Sequence, residues 1–323
     1  MCTAVACRQG KLYFGRTLDY EYSYGEKVVF LPKKYPINYR YAGIDNDHYA
    51  ILGMAHMADG MPLFYDGVNE KGLCMAGLNF VGNAEYSDAL GEGDNILQCE
   101  FIPRILSRCA TVAEARMMLD NICLLSESYN DRLPTASLHW IISDAKEDIV
   151  VEFMSDGMHI FNNPVGVLTN NPPFGQQMFN LNQYRSLSPK QPENCFSDKV
   201  PLELYSRGMG AIGLPGDLSS PSRFVRAAFA NMNSIAGNTE NERVCQYFHI
   251  MDTVIQTRGC CEVAEGEYEI SIYTSCCNAE DGIYYYRTYD NSRIDGVDMH
   301  RENLEGDTVI CFEIDKTPLY IQN

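Results

Sequence analysis

Three times along the chain, two runs of alternating residues flank a short polar turn, and this pattern restricts the fold more than any other feature. "TAVAC" and "KLYFGRTLDY" are joined by Arg8-Gln9-Gly10; "SLHWIISD" and "EDIVVEFM" flank "DAKED"; "YEISIYTSCC" and "GIYYYRTYD" flank "NAED". Alternation over such lengths marks strands with one covered face, and turns this short return the chain antiparallel. "HIF" and "VGVLTN" continue the second hairpin. Helix signals are fewer. Thr111 with Glu114 reads as a capping box opening "VAEARMMLDN", and Ser220-Pro221 reads as an N-cap followed by proline at the first helical position. "ERVCQYFHIMDTVI" has apolar residues at helical spacing. Hairpins alternating with helix pairs predict an α+β fold of antiparallel sheets with segregated helices.

The 323 residues carry no internal repeat, low-complexity tract or compositional break, so a single domain over 1–323 is expected. The stretch 186–222 reads as a long loop, and a loop of that length suits contact with a partner subunit. Within it, Gly208, Gly210 and Gly213 match the dinucleotide pattern G-x-G-x-x-G, but Pro215 and Gly216 follow where a helix should open. The match is accidental, and the glycines are expected in turns.

A net charge of -18 argues against nucleic acid and anionic membrane surfaces as partners. No segment approaches the ~20 apolar residues of a membrane helix. The N-terminus has no basic-then-apolar signal, which makes the cytoplasm the expected location. Most of the 13 cysteines then read as reduced packing residues. The vicinal pairs Cys260-Cys261 and Cys276-Cys277 lack the spacer of a zinc knuckle, and no metal or organic cofactor is expected.

Cys2 is different. Removal of Met1 would put a thiol and a free α-amine on one residue, a nucleophile and a proton shuttle of matched basicity. A two-residue turn at Gln9-Gly10 places Cys2 opposite Thr17; a three-residue turn at Arg8-Gly10 places it opposite Arg16. Either register brings Arg16 and Asp19 within one or two cross-strand neighbours. Asp19 is suited to hold the terminal ammonium, and Arg16 to favour the thiolate. The alternative is a surface Arg/Asp pair at a strand end.

"MCTAV", "FGRTLDYEYSY", "YDGVNEKGLCMAGLNF", "SLHWIISD", "VGVLTNNPPF", "GLPGDLSSPSRFVR", "IYTSCCN" and "IYYYRTYDNS", in this order, resemble the choloylglycine hydrolase family, in particular its bile salt hydrolase branch. The resemblance runs from residue 2 to near the C-terminus. It implies an αββα four-layer sandwich of the N-terminal nucleophile hydrolase type and cleavage of a non-peptide C–N amide. It further implies Cys2 as nucleophile beside Arg16 and Asp19, Asn79 and Asn170 as oxyanion-stabilising positions, and Arg223 as the remaining catalytic-site arginine. Arg226 does not fill that position. Read without the resemblance, both asparagines are turn caps and Arg223 a paired charge on a helix face.

The substrates implied are glycine- and taurine-conjugated bile salts, of the glycocholate and taurocholate type. Leu18, Tyr20, Tyr65, Phe80 and Leu133 are expected to line the apolar steroid wall. The family implies a homo-oligomer, commonly a tetramer. Penicillin V acylases share the fold and nucleophile, but that branch typically has an aromatic residue where Asn79 stands. Acyl transfer from the thioester to an amine is a further chemical outcome. A non-catalytic binding protein and a thiol-rich metal protein are the readings outside this enzyme class.

Overall fold

Alternation along the strands divides the apolar residues between two cores. In the strand Lys27–Leu31, Val28 and Phe30 face one core while Val29 and Leu31 face the other. Ile141 parts in the same way from its neighbours Trp140 and Ile142. A strand presents successive side chains to opposite faces, so a sheet buried on both sides must sit between two apolar layers. The computed structural model describes residues 1–318.

Numbering only the strands of the two large sheets, these are β1 Cys2–Gln9, β2 Lys11–Tyr20, β3 Lys27–Leu31, β4 Ile51–Ala58, β5 Met61–Asn69, β6 Cys74–Asn79 and β7 Leu138–Ser143. The remainder are β8 Asp148–Met154, β9 Gly157–Asn162, β10 Val167–Leu168, β11 Ile270–Asn278, β12 Ile283–Thr288, β13 Asp295–Asp298 and β14 Ile310–Phe312. The helices are α1 Phe101–Arg108, α2 Val112–Leu119, α3 Phe174–Asn180, α4 Ser220–Asn233 and α5 Glu240–Asp252. The six-stranded sheet has the order β10-β1-β2-β11-β12-β13, and the eight-stranded sheet the order β9-β8-β7-β6-β5-β4-β3-β14. Every pairing within them is antiparallel.

One core lies between the sheets and continues under α4 and α5 through Phe224, Ala227, Tyr247 and Phe248. The other lies between the eight-stranded sheet and α1 and α2, through Phe101, Ile105, Val112 and Ala115. The layers are helices, sheet, sheet, helices: the αββα sandwich that the sequence resemblance implied.

All three hairpins form, as β1–β2, β7–β8 and β11–β12. The first differs in register. Gln9 pairs Lys11 across Gly10, whose φ of +84° suits glycine, and Cys2 therefore lies opposite Leu18, not Thr17 or Arg16. The shift puts Cys2, Leu18 and Arg16 on one face of the hairpin, with Thr3, Thr17 and Asp19 on the other.

Two helix starts also differ from expectation. Thr111 accepts from Glu114 N at 3.2 Å, but the Glu114 carboxylate reaches back to Ala110 N at 2.7 Å, so the box is only half formed. The N-cap of α4 is Ser219. Ser220 instead accepts from Asn170 N at 2.8 Å and bonds Thr169 Oγ1 at 2.9 Å, tying the start of α4 to the end of β10. Residues 186–219 form a loop with one short 3₁₀ turn at Met209–Ala211; Gly208 and Gly213 have positive φ, as expected of turns.

Gly15 allows β11 to approach β2. A Cβ there would sit 2.1 Å from the Ser275 carbonyl oxygen, a backbone atom that cannot swing away. Gly15→Ala is therefore expected to cost about 1–3 kcal/mol, in line with overpacked cores. The urea midpoint measures it; an unchanged midpoint would mean that the strands separate freely.

Candidate active site

Cys2 begins β1 with 4% of its surface exposed. On its own face of the hairpin, Arg16 Nη2 donates to Cys2 Sγ at 2.5 Å. Backbone carbonyls hold the rest of that guanidinium: Thr17 at 3.1 Å from Nε, Tyr65 at 3.3 Å from Nη1, and Gly77 also from Nη1. Arg16 thus leaves β2 and crosses to the facing sheet. Burial works against its charge, yet the Cys2 sulfur, Tyr273, Asp66 and Asp19 hold the guanidinium above its ordinary value. The expected Arg16–thiol contact is present, and the observed register brings it about.

Arg223, from the first turn of α4, approaches on the other side. It is fully buried and donates to Cys2 O and Thr3 Oγ1, both at 2.6 Å, to Asn170 Oδ1 at 2.7 Å and to Leu218 O at 3.1 Å. Burial presses its charge down, against the pull of Asp19 and Cys2. Arg226, one turn on, serves loop carbonyls of Thr253, Pro215 and Asp217 instead.

Asp19 is fully buried on the Thr17 face. Its carboxylate accepts from Ser271 Oγ at 2.5 Å and Thr17 Oγ1 at 3.0 Å. Burial pushes this carboxyl up from its usual range, while Arg223, the terminal ammonium and the two hydroxyls oppose it. Met1 is present, and its ammonium donates to the Asp19 carbonyl at 2.8 Å and pairs with Glu269. The Asp19 carboxylate makes no hydrogen bond to that ammonium; with Met1 in place, the backbone carbonyl and Glu269 hold it.

The two asparagines are coupled. Asn170 Oδ1 accepts from Cys2 N at 2.8 Å as well as from Arg223, and Asn170 Nδ2 donates to Asn79 O at 2.7 Å. Two donors fix the orientation of this amide, and one of its two N–H groups is engaged by Asn79 O. The Asn170 side chain therefore orients the Cys2 nitrogen and keeps a second N–H. Asn79, at the end of β6, has a side chain with no hydrogen bond among the described residues, and is free to donate to an oxyanion.

Of the five expected wall residues, Leu18 lies opposite Cys2, and Tyr20 closes β2. Tyr20 packs on Tyr22 and Tyr24 with ring centroids 5.0 and 5.3 Å away. Tyr65 adjoins Arg16 through its carbonyl. The other two are placed differently. Phe80 is fully buried, stacked on His139 at 4.2 Å, because His139 binds Thr169 O and Glu152 beneath it. Leu133, half-buried in the loop before β7, packs against the core that holds Trp140. Cavities of about 630 Å³ beside Arg104 and about 460 Å³ beside Gln176 exclude the Cys2 group.

The family model for linear amide C–N hydrolases of the choloylglycine hydrolase type matches residues 2–312. The chain belongs to the choloylglycine hydrolase family. Relatives in this family include a bile salt hydrolase/transferase of Lactiplantibacillus plantarum, 48% identical over 97% of both chains. Another, of Clostridium perfringens, is 38% identical over 98% of both. The crystal structure of a mutant conjugated bile acid hydrolase from Clostridium perfringens superposes with a TM-score of 0.92 at 36% identity, covering 100% of this chain and 99% of that one. A penicillin V acylase from Agrobacterium tumefaciens, at 18% identity and a TM-score of 0.77 over 97% and 91% of the chains, shares the fold.

Within this choloylglycine hydrolase, sequence reading overlooked Thr3, Thr17, Ser271 and Glu269, the groups that support the arginine, the carboxylate and the ammonium. Serines and threonines inside strands carry no signal of their own; only a partner brought from another element distinguishes them. For Asn79→Ala, hydrolysis is expected to fall by about 10²–10³ in kcat, as for loss of one oxyanion donor, with a folded protein. Steady-state rates with near-normal kcat would remove Asn79 from that role.

Proposed function

We propose that this protein is a bile salt hydrolase, cleaving the amide that joins a steroid acyl chain to glycine or taurine through a thioester on Cys2. What carries the reading is the Arg16–Cys2 Sγ contact at 2.5 Å beside a terminus held by Asn170 and Arg223, in a chain 48% identical to a protein of that name. After Met1 is removed, the Cys2 amine takes the thiol proton and the sulfur attacks the amide carbon. Asn79 donates to the oxyanion that forms. The amine returns the proton to the leaving nitrogen, and the C–N bond breaks to leave the thioester. Water, deprotonated by the same amine, adds to the thioester and expels the sulfur, releasing the free bile acid. Asn170 and Arg223 fix the direction of the terminus, Asp19 lies behind it, and Leu18, Tyr20 and Tyr65 form the part of the steroid wall nearest the sulfur.

Amine release from glycocholate, taurocholate and penicillin V tests the reading. Release from the two bile conjugates, and slow release from penicillin V, is the expected result. Release from penicillin V alone would move the protein to the acylase reading, and none from any substrate would refute catalysis. The relatives' names support acyl transfer as a second outcome of the same thioester, since an amine can replace water. We propose further that the protein is cytoplasmic and a homotetramer; exposed Phe196, Leu202, Leu204 and Tyr205 on the long loop favour subunit contact. Light scattering on a size-exclusion column measures the oligomer, and a monomeric mass would refute it.

A further inference from the structure

Behind Arg16, on the side away from the sulfur, lies a buried carboxylate that the proposed cycle does not use. Asp66, on β5, is 1% exposed. Hydroxyls from the facing sheet converge on it: Tyr273 at 2.6 Å and Ser275 at 2.8 Å from β11, and Tyr284 at 2.8 Å from β12. Ser275 Oγ, while donating to Asp66, accepts from the backbone N of Arg16 at 3.0 Å. Asp66, Ser275 and Arg16 thus form a relay across three strands, and the close approach of β11 at Gly15 makes its last link possible. Asp66 has no direct bond to the guanidinium, whose N–H groups go to carbonyls and to sulfur.

We infer that Asp66 is a positioning residue for the reaction: it fixes the stretch of β2 that carries Arg16 and partly offsets the arginine's charge, so that the Cys2 sulfur stays basic enough to attack well. The inference rests on Cys2 being the nucleophile. A buried arginine in contact with a sulfur, left uncompensated, stabilises the thiolate strongly, and a strongly stabilised thiolate is a poorer nucleophile. Burial pushes the Asp66 carboxyl up, but the Arg16 charge and the three hydroxyl donors favour its anion.

Other charged or titratable groups face the same centre: the terminal ammonium, Asp19 on β2, Tyr65 on β5, Arg223 on α4, Glu269 before β11, Tyr273 on β11 and Tyr284 on β12. Asp66→Asn leaves all of them in place, so the difference from wild type isolates one charge. The measurement is the pH dependence of Cys2 alkylation by iodoacetamide, read by mass spectrometry of the N-terminal peptide in the mature enzyme. In Asp66→Asn the alkylation midpoint is expected to fall by about one pH unit, as for removal of one charge several ångströms away. With a Brønsted coefficient of about 0.4–0.5, the alkylation rate at pH well above both midpoints, where the thiol is ionised in either protein, should then be about threefold lower in Asp66→Asn. Cys74→Ala, which removes the buried Cys74–Cys277 contact (3.7 Å) between the same sheets without removing an ionised group, should leave the midpoint where it was.

A midpoint that stays put or rises in Asp66→Asn, or that falls equally in Cys74→Ala, overturns the inference. Should Asp66→Asn fail to fold, Tyr273→Phe withdraws one stabilising donor and should shift the midpoint the same way by a smaller amount; no shift overturns the inference there too. Alkylated Cys2 with undiminished hydrolysis would instead defeat the nucleophile reading, whichever way the midpoint moves.

Discussion

A glycine inserted between Met1 and Cys2 is expected to leave the protein folded, with the thiol in place, and to reduce conjugate hydrolysis by about 10²–10⁴, the range assigned to a positioned general base. The geometry makes this a clean experiment. With Met1 present, the chain already carries one residue before Cys2, and that residue finds partners: its ammonium reaches Asp19 O and Glu269, and its carbonyl accepts from Asp19 N at 3.0 Å. A glycine in that place inherits the same backbone bonds. Cys2 N stays an amide donating to Asn170 Oδ1, and an amide nitrogen takes no proton from a thiol. Arg16 still faces the sulfur, so alkylation of Cys2 should persist while turnover is lost. Intact mass fixes the terminus, thermal denaturation the fold, and glycine release from glycocholate the rate. Near wild-type turnover would mean that some other group moves the proton.

Arg223→Met should be the most damaging single substitution outside Cys2. The guanidinium is fully buried, and its loss leaves Cys2 O, Thr3 Oγ1 and Asn170 Oδ1 without a shared donor and deprives the buried Asp19 of a countercharge. Breaking such an arrangement by removing one partner typically costs about 3–5 kcal/mol. Asn170 and the terminus would also lose their alignment, and misplacement by about an ångström is enough to lower kcat about 10²-fold. Arg223→Lys should recover part of the stability but little of the rate. An ammonium supplies charge without the planar fork that meets acceptors on both sides of the terminus. Urea unfolding and single-turnover rates separate the two effects. A stable, fully active Arg223→Met would show that the arginine is a bystander.

How much of the site was legible depended on the kind of signal. Cys2, Arg16 and Asp19 lie in one hairpin, so alternation and a turn sufficed to bring them together within a residue of error. The error itself came from Gly10, whose left-handed backbone lets Gln9 and Lys11 still pair. Asn79, Asn170 and Arg223 come from three separate elements. Family resemblance pointed to them, but only packing showed that Asn170 faces the Cys2 nitrogen and that the Asn79 side chain has no hydrogen bond among the described residues. Phe80 illustrates another case: an aromatic next to a site residue in sequence is fully buried against the His139 ring, a contact that only packing reveals.

The sequence by itself determined the layered antiparallel architecture, the identity of the thiol and the presence of a charged pair beside it, because strand period and turn chemistry are local properties. Tertiary structure alone decided which face each side chain takes, which amide holds the Cys2 nitrogen, and that Asp66, Ser275 and Tyr284 stand behind Arg16. Those depend on contacts between strands hundreds of residues apart in the chain, where a one-residue change of register exchanges one face of a sheet for the other.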